Sequence, residues 1–230
     1  MNRIHHTAVV GAGVEMGSGN VIGAYAVLLG PMRLGDGNWI GPHVVLGTPP
    51  EVRGIDHGTE LGGGSGNGVE IGDGNVIREY TTVHQGHYAV THLGNRCVLM
   101  NRVYIAHDGM VAEGVTMASG TSLGGHVHIG ASANLGMGVV VHQHRVIGPL
   151  AMVGMGSVVT RDLPPCSLSY GNPCRVRSAN RVGLRRAGVP SAVVDAVDRV
   201  YAEGLSVDQA RDASTAWAWE WWDAEHRRPD

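Results

Sequence analysis

LGNRCVLMNRVYIAHDGMVAEGVTMASGTSLGGHVHIGASANLGMGVVVHQHRVIGPLAMVGMGSVVT, residues 93–160, carries an aliphatic residue at every sixth position. Leu93, Leu99, Ile105, Val111, Met117, Leu123, Ile129, Leu135, Val141, Ile147, Val153 and Val159 form the series without a gap. A step of six fits neither the 3.6 period of a helix nor the plain alternation of a strand. It fits a short strand followed by a turn, with one side chain sent inward per side. Three sides close an 18-residue coil, and coils stack at the spacing of neighbouring strands, about 4.8 Å.

Working outward, the same step runs from Ile4 through Val10, Met16, Ile22, Leu28, Leu34, Ile40 and Leu46. It is lost in the glycine-rich stretch 48–68, returns at Ile71, Ile77 and Val83, and falters again at QGHYAV, residues 85–90. A prism this narrow admits Val, Ile and Leu but not aromatic rings, which accounts for a chain with 36 Gly and no Phe. The expected fold is therefore mainly β: a parallel β-helix over 1–177, with a loop insertion at 48–70, then a helical region over 178–230. In that second part, helices are predicted over about 179–187, from Pro190 to near Gly204, and after a Ser206–Gln209 capping box. The tryptophans of the last helix, Trp217, Trp219, Trp221 and Trp222, are read as packing residues rather than a cofactor box.

The net charge of −3 gives no reason to expect nucleic acid as a partner. All 17 cationic residues are Arg, so lysine chemistry is excluded. The three cysteines show no metal-binding spacing. No signal peptide or membrane-spanning segment is visible, so a cytoplasmic protein with reduced thiols is expected.

In an 18-residue coil, residues 18 apart lie above one another. Asp108, His126 and His144 then form one column, and His107, Gly125 and Gln143 a second. Allowing for the interruption at 85–90, His84, Ala106, Gly124 and His142 form a third. One edge of the prism thus gathers six groups capable of acid, base or ligand work. His5, His6, His43, His57, His87, His92, His128 and His226 fall outside it.

At IAHDGMV, LGGHVHIG, VVHQH and YGNPCRV the chain resembles the hexapeptide-repeat acyltransferases, in particular the UDP-N-acetylglucosamine O-acyltransferases of lipid A biosynthesis. GLRRAG follows in the same order. The resemblance implies a left-handed coil, against the usual right-handed crossover, and a homotrimer with active sites between neighbouring prisms. It implies that His107 is the catalytic base, Asp108 its partner, and Gly125 the donor of an N–H to the oxyanion. His126, His142, Gln143, Asn180 and Arg186 match substrate-binding positions, and Tyr104 stands where the family has a further His. Met155 occupies the position that sets acyl-chain length and implies a short or medium chain. The family's Gln-Asp-Leu-Lys loop is replaced by Glu51-Val52-Arg53-Gly54.

The implied reaction moves an acyl group from acyl carrier protein to a hydroxyl of a UDP-N-acetylglucosamine-like sugar, with no bound cofactor or metal. The run Arg175, Arg177, Arg181, Arg185 and Arg186 offers a basic face to an acidic carrier. Two alternatives share the fold. One is a CoA-dependent acetyltransferase. The other is a zinc hydratase of the γ-carbonic-anhydrase type, whose third histidine would fall at Ile147.

Overall fold

The computed structural model describes residues 1–55, 66–204 and 207–228. Residues 56–65, with His57 and the middle of the expected loop insertion, and the Ser206 end of the expected capping box lie outside them. Two- to five-residue strands recur with a turn after each, and they stack into three sheets of ten, eight and seven strands among the described residues. Pairing is parallel throughout the prism, with partners 18 apart, such as Tyr104 with Ser122 and Met110 with His128. The first face carries Val98–Leu99, the second Tyr104–Ile105 and the third Met110–Val111, and each later coil repeats that order.

The sixth-residue series is the core. Leu99, Ile105, Val111, Met117, Leu123 and Ile129 are all buried, and they belong to one continuous apolar column. Each strand sends that residue inward because side chains alternate across a strand, and its neighbour faces out. Between the third and first faces, a buried ladder of Asn20, Asn38 and Asn75 fills the corner. Each side-chain carbonyl accepts the backbone N–H one coil on, and Asn75 hands over to Cys97.

The two insertions into the 18-residue coil fall on the edge between the second and third faces. Val45 pairs with Thr82, 37 positions on, and Thr82 pairs with Tyr104, 22 positions on. This edge also carries Asp108, His126 and His144, here called the histidine edge. All three adopt left-handed backbone angles, φ 57°, 59° and 59°, a conformation that Asp and His tolerate better than β-branched residues do.

The chain leaves the prism through Ser167–Tyr170, which pairs antiparallel with Arg175–Ala179. Helices α1 (Arg181–Arg186) and α2 (Ser191–Glu203) follow, the latter ended by Gly204 at φ 69°. A single 3₁₀ turn occupies Val207–Ala210, and helix α3 spans Ala216–Glu225. The last helix thus begins about ten residues later than its expected capping box. What fixes it is tertiary: Trp219 is buried with Val194, Val197 and Leu184 in a second apolar core, and Glu225 is buried against His128. Among the described residues, no helix is long and apolar enough to cross a membrane.

Candidate active site

The turn after Tyr104–Ile105 puts His107 and Asp108 side by side at the corner. His107 Nδ1 lies 2.7 Å from Asp108 Oδ2. A carboxylate only accepts, so Nδ1 carries the proton, and in the neutral imidazole the lone pair lies on Nε2. Asp108 is 5% exposed. Its other oxygen accepts three consecutive backbone N–H groups, from His87 at 2.9 Å, Tyr88 at 2.8 Å and Ala89 at 2.7 Å. Burial opposes ionisation of Asp108. The bonds from Ala89, His107 and Tyr88 and the nearby His126 outweigh it, so the carboxyl is held below its ordinary range.

His126 Nε2 sits 3.5 Å from Asp108 Oδ2. Its ring stacks on His144 at 4.5 Å and 5°, and meets His107 edge-on at 5.1 Å. Burial is the main force that lowers the pKa of the His126 imidazole. Asp108 opposes this in part, and the neighbouring histidines reinforce it.

Gly125 lies one coil from His107, and the His107 ring rests against it. A Cβ there would come within 2.7 Å of Cε1 and 2.8 Å of Nε2. The Gly125 N–H has no acceptor among the described residues. At the equivalent place between the third and first faces, this N–H is occupied by a side chain of the next coil. Ser18 donates to Asp36, Asp36 to Asp73, and Asp73 to Asn95. On the histidine edge the next-coil residue is Gln143, whose exposed side chain leaves the Gly125 donor free. A lone-pair nitrogen and an unpaired N–H therefore sit together, which is what proton removal with oxyanion stabilisation requires.

Other expected site residues lie apart from this group. His142 is exposed and bonds the Gln143 carbonyl. His84 belongs to a different cluster, with Nδ1 3.0 Å from Thr48 Oγ1 and 3.2 Å from Glu51 Oε2. Tyr104 joins that cluster by donating its hydroxyl to Glu51, and burial followed by that bond raises its pKa. Met155 is 74% exposed and occupies a turn between the first and second faces.

Asn180 and Arg186 line a cavity of about 720 Å³ with Asn134, Met152 and Leu168. Both ends of the Asn180 amide are engaged, accepting from Gly183 N and donating to the Leu150 carbonyl as the cap of α1. Arg181 is tied to Asp195 and Asp198, so the basic face is smaller than its sequence suggests. The cavity lies against the first face, opposite the histidine edge in a three-sided prism.

Sequence reasoning missed His87, Tyr88 and Glu51. The only available signal for the first two was the interruption at 85–90 immediately before IAHDGMV, because a buried Asp needs donors.

His107, Asp108 and His126 offer ligand atoms within 4.8 Å of one another. The 2.7 Å separation of Nδ1 and Oδ2 is shorter than the roughly 3.3 Å edge of a tetrahedral zinc site with bonds near 2.0 Å. Ile147, where a hydratase needs its third histidine, is a buried core residue. The group is a hydrogen-bonded dyad and fits a metal cage poorly.

Comparison with known proteins finds relatives in both sequence and fold. Residues 162–219 match the family model described as UDP N-acetylglucosamine O-acyltransferase, domain 2. An acyl-[acyl-carrier-protein]–UDP-N-acetylglucosamine O-acyltransferase of Gloeothece citriformis is 37% identical over 161 residues, 67% of this chain and 58% of that protein. One from Pseudomonas putida is 39% identical over 61% of this chain and 57% of its own length. The crystal structure of LpxA, a UDP-N-acetylglucosamine acyltransferase from Bacteroides fragilis, superposes with TM-score 0.77 at 29% identity, covering 94% of this chain and 89% of that one. The chain is LpxA-like. LpxA from Acinetobacter baumannii gives TM-score 0.76 at 26% identity, over 98% and 95% of the two chains. The LpxA-like chain spans less than two thirds of the length of the curated relatives it matches. Its fold is the left-handed parallel β-helix with C-terminal helices that the motifs implied.

Proposed function

We propose that this chain is an O-acyltransferase that moves a short or medium acyl group from acyl carrier protein to a hydroxyl of a UDP-N-acetylglucosamine-like sugar. The observation that carries the reading is His107 Nε2 beside the Gly125 N–H, which has no acceptor among the described residues. The relatives named for this reaction support it.

The sugar hydroxyl gives its proton to His107 Nε2 as its oxygen bonds to the thioester carbonyl carbon. The tetrahedral oxyanion is held by the Gly125 N–H. Asp108 stabilises the imidazolium. Collapse breaks the carbon–sulfur bond, and the leaving thiolate takes the proton back from His107. No acyl-enzyme is needed, and the chain has no thiol suited to form one. Burial pushes Cys97 up to about 11 and Cys166 up to about 12, and raises Cys174 as well. His126, His142, Gln143 and Tyr104 serve the acceptor side in this reading, and Met155 limits the acyl chain. The step requires no metal.

The reading includes a cytoplasmic homotrimer, with residues 1–177 as the catalytic prism and 178–230 as the helical part. The Asn180 and Arg186 cavity and the histidine edge lie on opposite sides of one prism, so a shared site needs a neighbour. The test is incubation with a panel of acyl-carrier-protein and CoA thioesters against nucleotide sugars, with products read by mass spectrometry. The expected result is an O-acylated nucleotide sugar from carrier-bound donors, abolished in His107→Ala. Turnover unchanged in His107→Ala would overturn the reading.

A further inference from the structure

The interruption at 85–90 is a built turn. Gln85 is buried, and its amide donates to the Gly30 and Gly47 carbonyls at 3.0 and 2.6 Å. Gly86 N bonds the Gly68 carbonyl. The next three N–H groups all converge on Asp108, an arrangement suited to hold one carboxylate oxygen. The turn is therefore pinned at its base by Gln85 and at its tip by the carboxylate that orients His107.

On this pinned backbone stands Tyr88, whose side chain is not buried by the chain: the residue is 76% exposed. Its ring lies 4.3 Å from His87 and 5.9 Å from His126. His126 stacks on His144, and His107 closes the group edge-on. Tyr88, His126 and His144 thus form a run of ring faces beside the proposed base, and the same carboxylate fixes both ends of that relation.

A rigid phenol exposed beside a base provides flat apolar area with a polar tip at little entropic cost. A pyranose fits such a wall, laying its C–H face on the rings while its hydroxyls reach the polar neighbours. A flexible thioester arm has no flat face to offer. We propose that Tyr88, backed by His126 and His144, receives the ring of the acceptor sugar and sets which hydroxyl meets His107. Tyr88 is thus an acceptor-positioning residue, and the assignment rests on the acyl-transfer reading above.

The test compares Tyr88→Ala with Tyr88→Trp in the full chain. Acceptor KM, donor KM, the pH profile of kcat and the oligomeric mass are measured for each, with UDP-N-acetylglucosamine as the probe acceptor. Tyr88→Ala is expected to raise the acceptor KM about tenfold and to leave the donor KM and the pH profile as they were. Tyr88→Trp restores the acceptor KM. In a His107→Ala background, binding of the nucleotide sugar followed by saturation-transfer NMR is expected to survive, and to weaken when Tyr88→Ala is added. An unchanged acceptor KM, a rise in donor KM instead, a shifted pH profile or a dissociated oligomer would each overturn the assignment. Full turnover in His107→Ala alone would instead remove the acyl-transfer reading, and the NMR measurement would still decide whether Tyr88 meets the sugar.

Discussion

Asp108 carries two loads with one side chain. One oxygen fixes the His107 tautomer, and the other fixes the 87–89 turn. Asp108→Asn keeps the shape but turns an N–H₂ or a weaker acceptor toward Nδ1–H. The expected outcome is a loss in kcat of about 10²- to 10⁴-fold, as for the orienting acid of a catalytic triad, with the circular dichroism spectrum retained. Because the folded carboxyl lies below its ordinary range, its ionised form stabilises the native state fully above about pH 4, and that contribution is lost as pH falls through the folded value. Urea unfolding at neutral and acid pH is expected to show wild type and Asp108→Asn converging on acidification. Gly125 gives a second test at this scale. In Gly125→Ala the new methyl would collide with the His107 ring, and a displacement of roughly 1 Å costs about 10²-fold in rate. Steady-state kinetics showing wild-type kcat would remove Gly125 from the site.

At the scale of elements, the strands of the prism were legible because each repeats one physical demand, an aliphatic side chain facing inward every sixth residue. The column arithmetic likewise placed Asp108, His126 and His144 above one another correctly. The same register sets His84 beside Ala106, in the expected column. What the spacing does not show is the path of the chain after Thr48, which brings Glu51 to His84 and joins both to Tyr104. His87 lies inside the interruption, where no register exists to count from, and its ring stands 6.5 Å from His107. Helix α3 began later than its capping pattern suggested because its position is set by distant partners. Glu225 is buried, with His128 Nδ1 at 2.5 Å and Arg228 at 2.9 Å, and His128 is 97 positions away in sequence. Glu225→Ala is expected to cost about 1–3 kcal/mol by stripping a buried acceptor from two donors. Hydrogen exchange should show the loss concentrated in α3 and its contacts on the third face. Uniform loss of protection across the prism would count against that docking role.

The whole molecule sets a problem that no single prism solves. The proposed base, His107, stands on the edge between the second and third faces, and the cavity holding Asn180 and Arg186 lies on the opposite, first face. Met155, proposed to limit the acyl chain, sits at a third place, between the first and second faces. If one substrate spans these groups, they must come from different copies, and a closed threefold assembly would bring one copy's edge to its neighbour's face. That arrangement has a signature beyond molecular mass. His107→Ala lacks the base but keeps its cavity, while Arg186→Ala keeps the base and loses an exposed cationic side chain from the cavity. Denatured together in equal amounts and refolded, the two variants would form mixed trimers. A site is intact only when its base comes from an Arg186→Ala copy and its cavity from a His107→Ala neighbour. Random assembly makes about one site in four intact. Steady-state assays of the mixture should therefore recover about a quarter of wild-type activity, where either variant alone gives little. A site completed within one chain predicts no such recovery, since neither variant carries both groups, and mixing would then return only the average of the two parents.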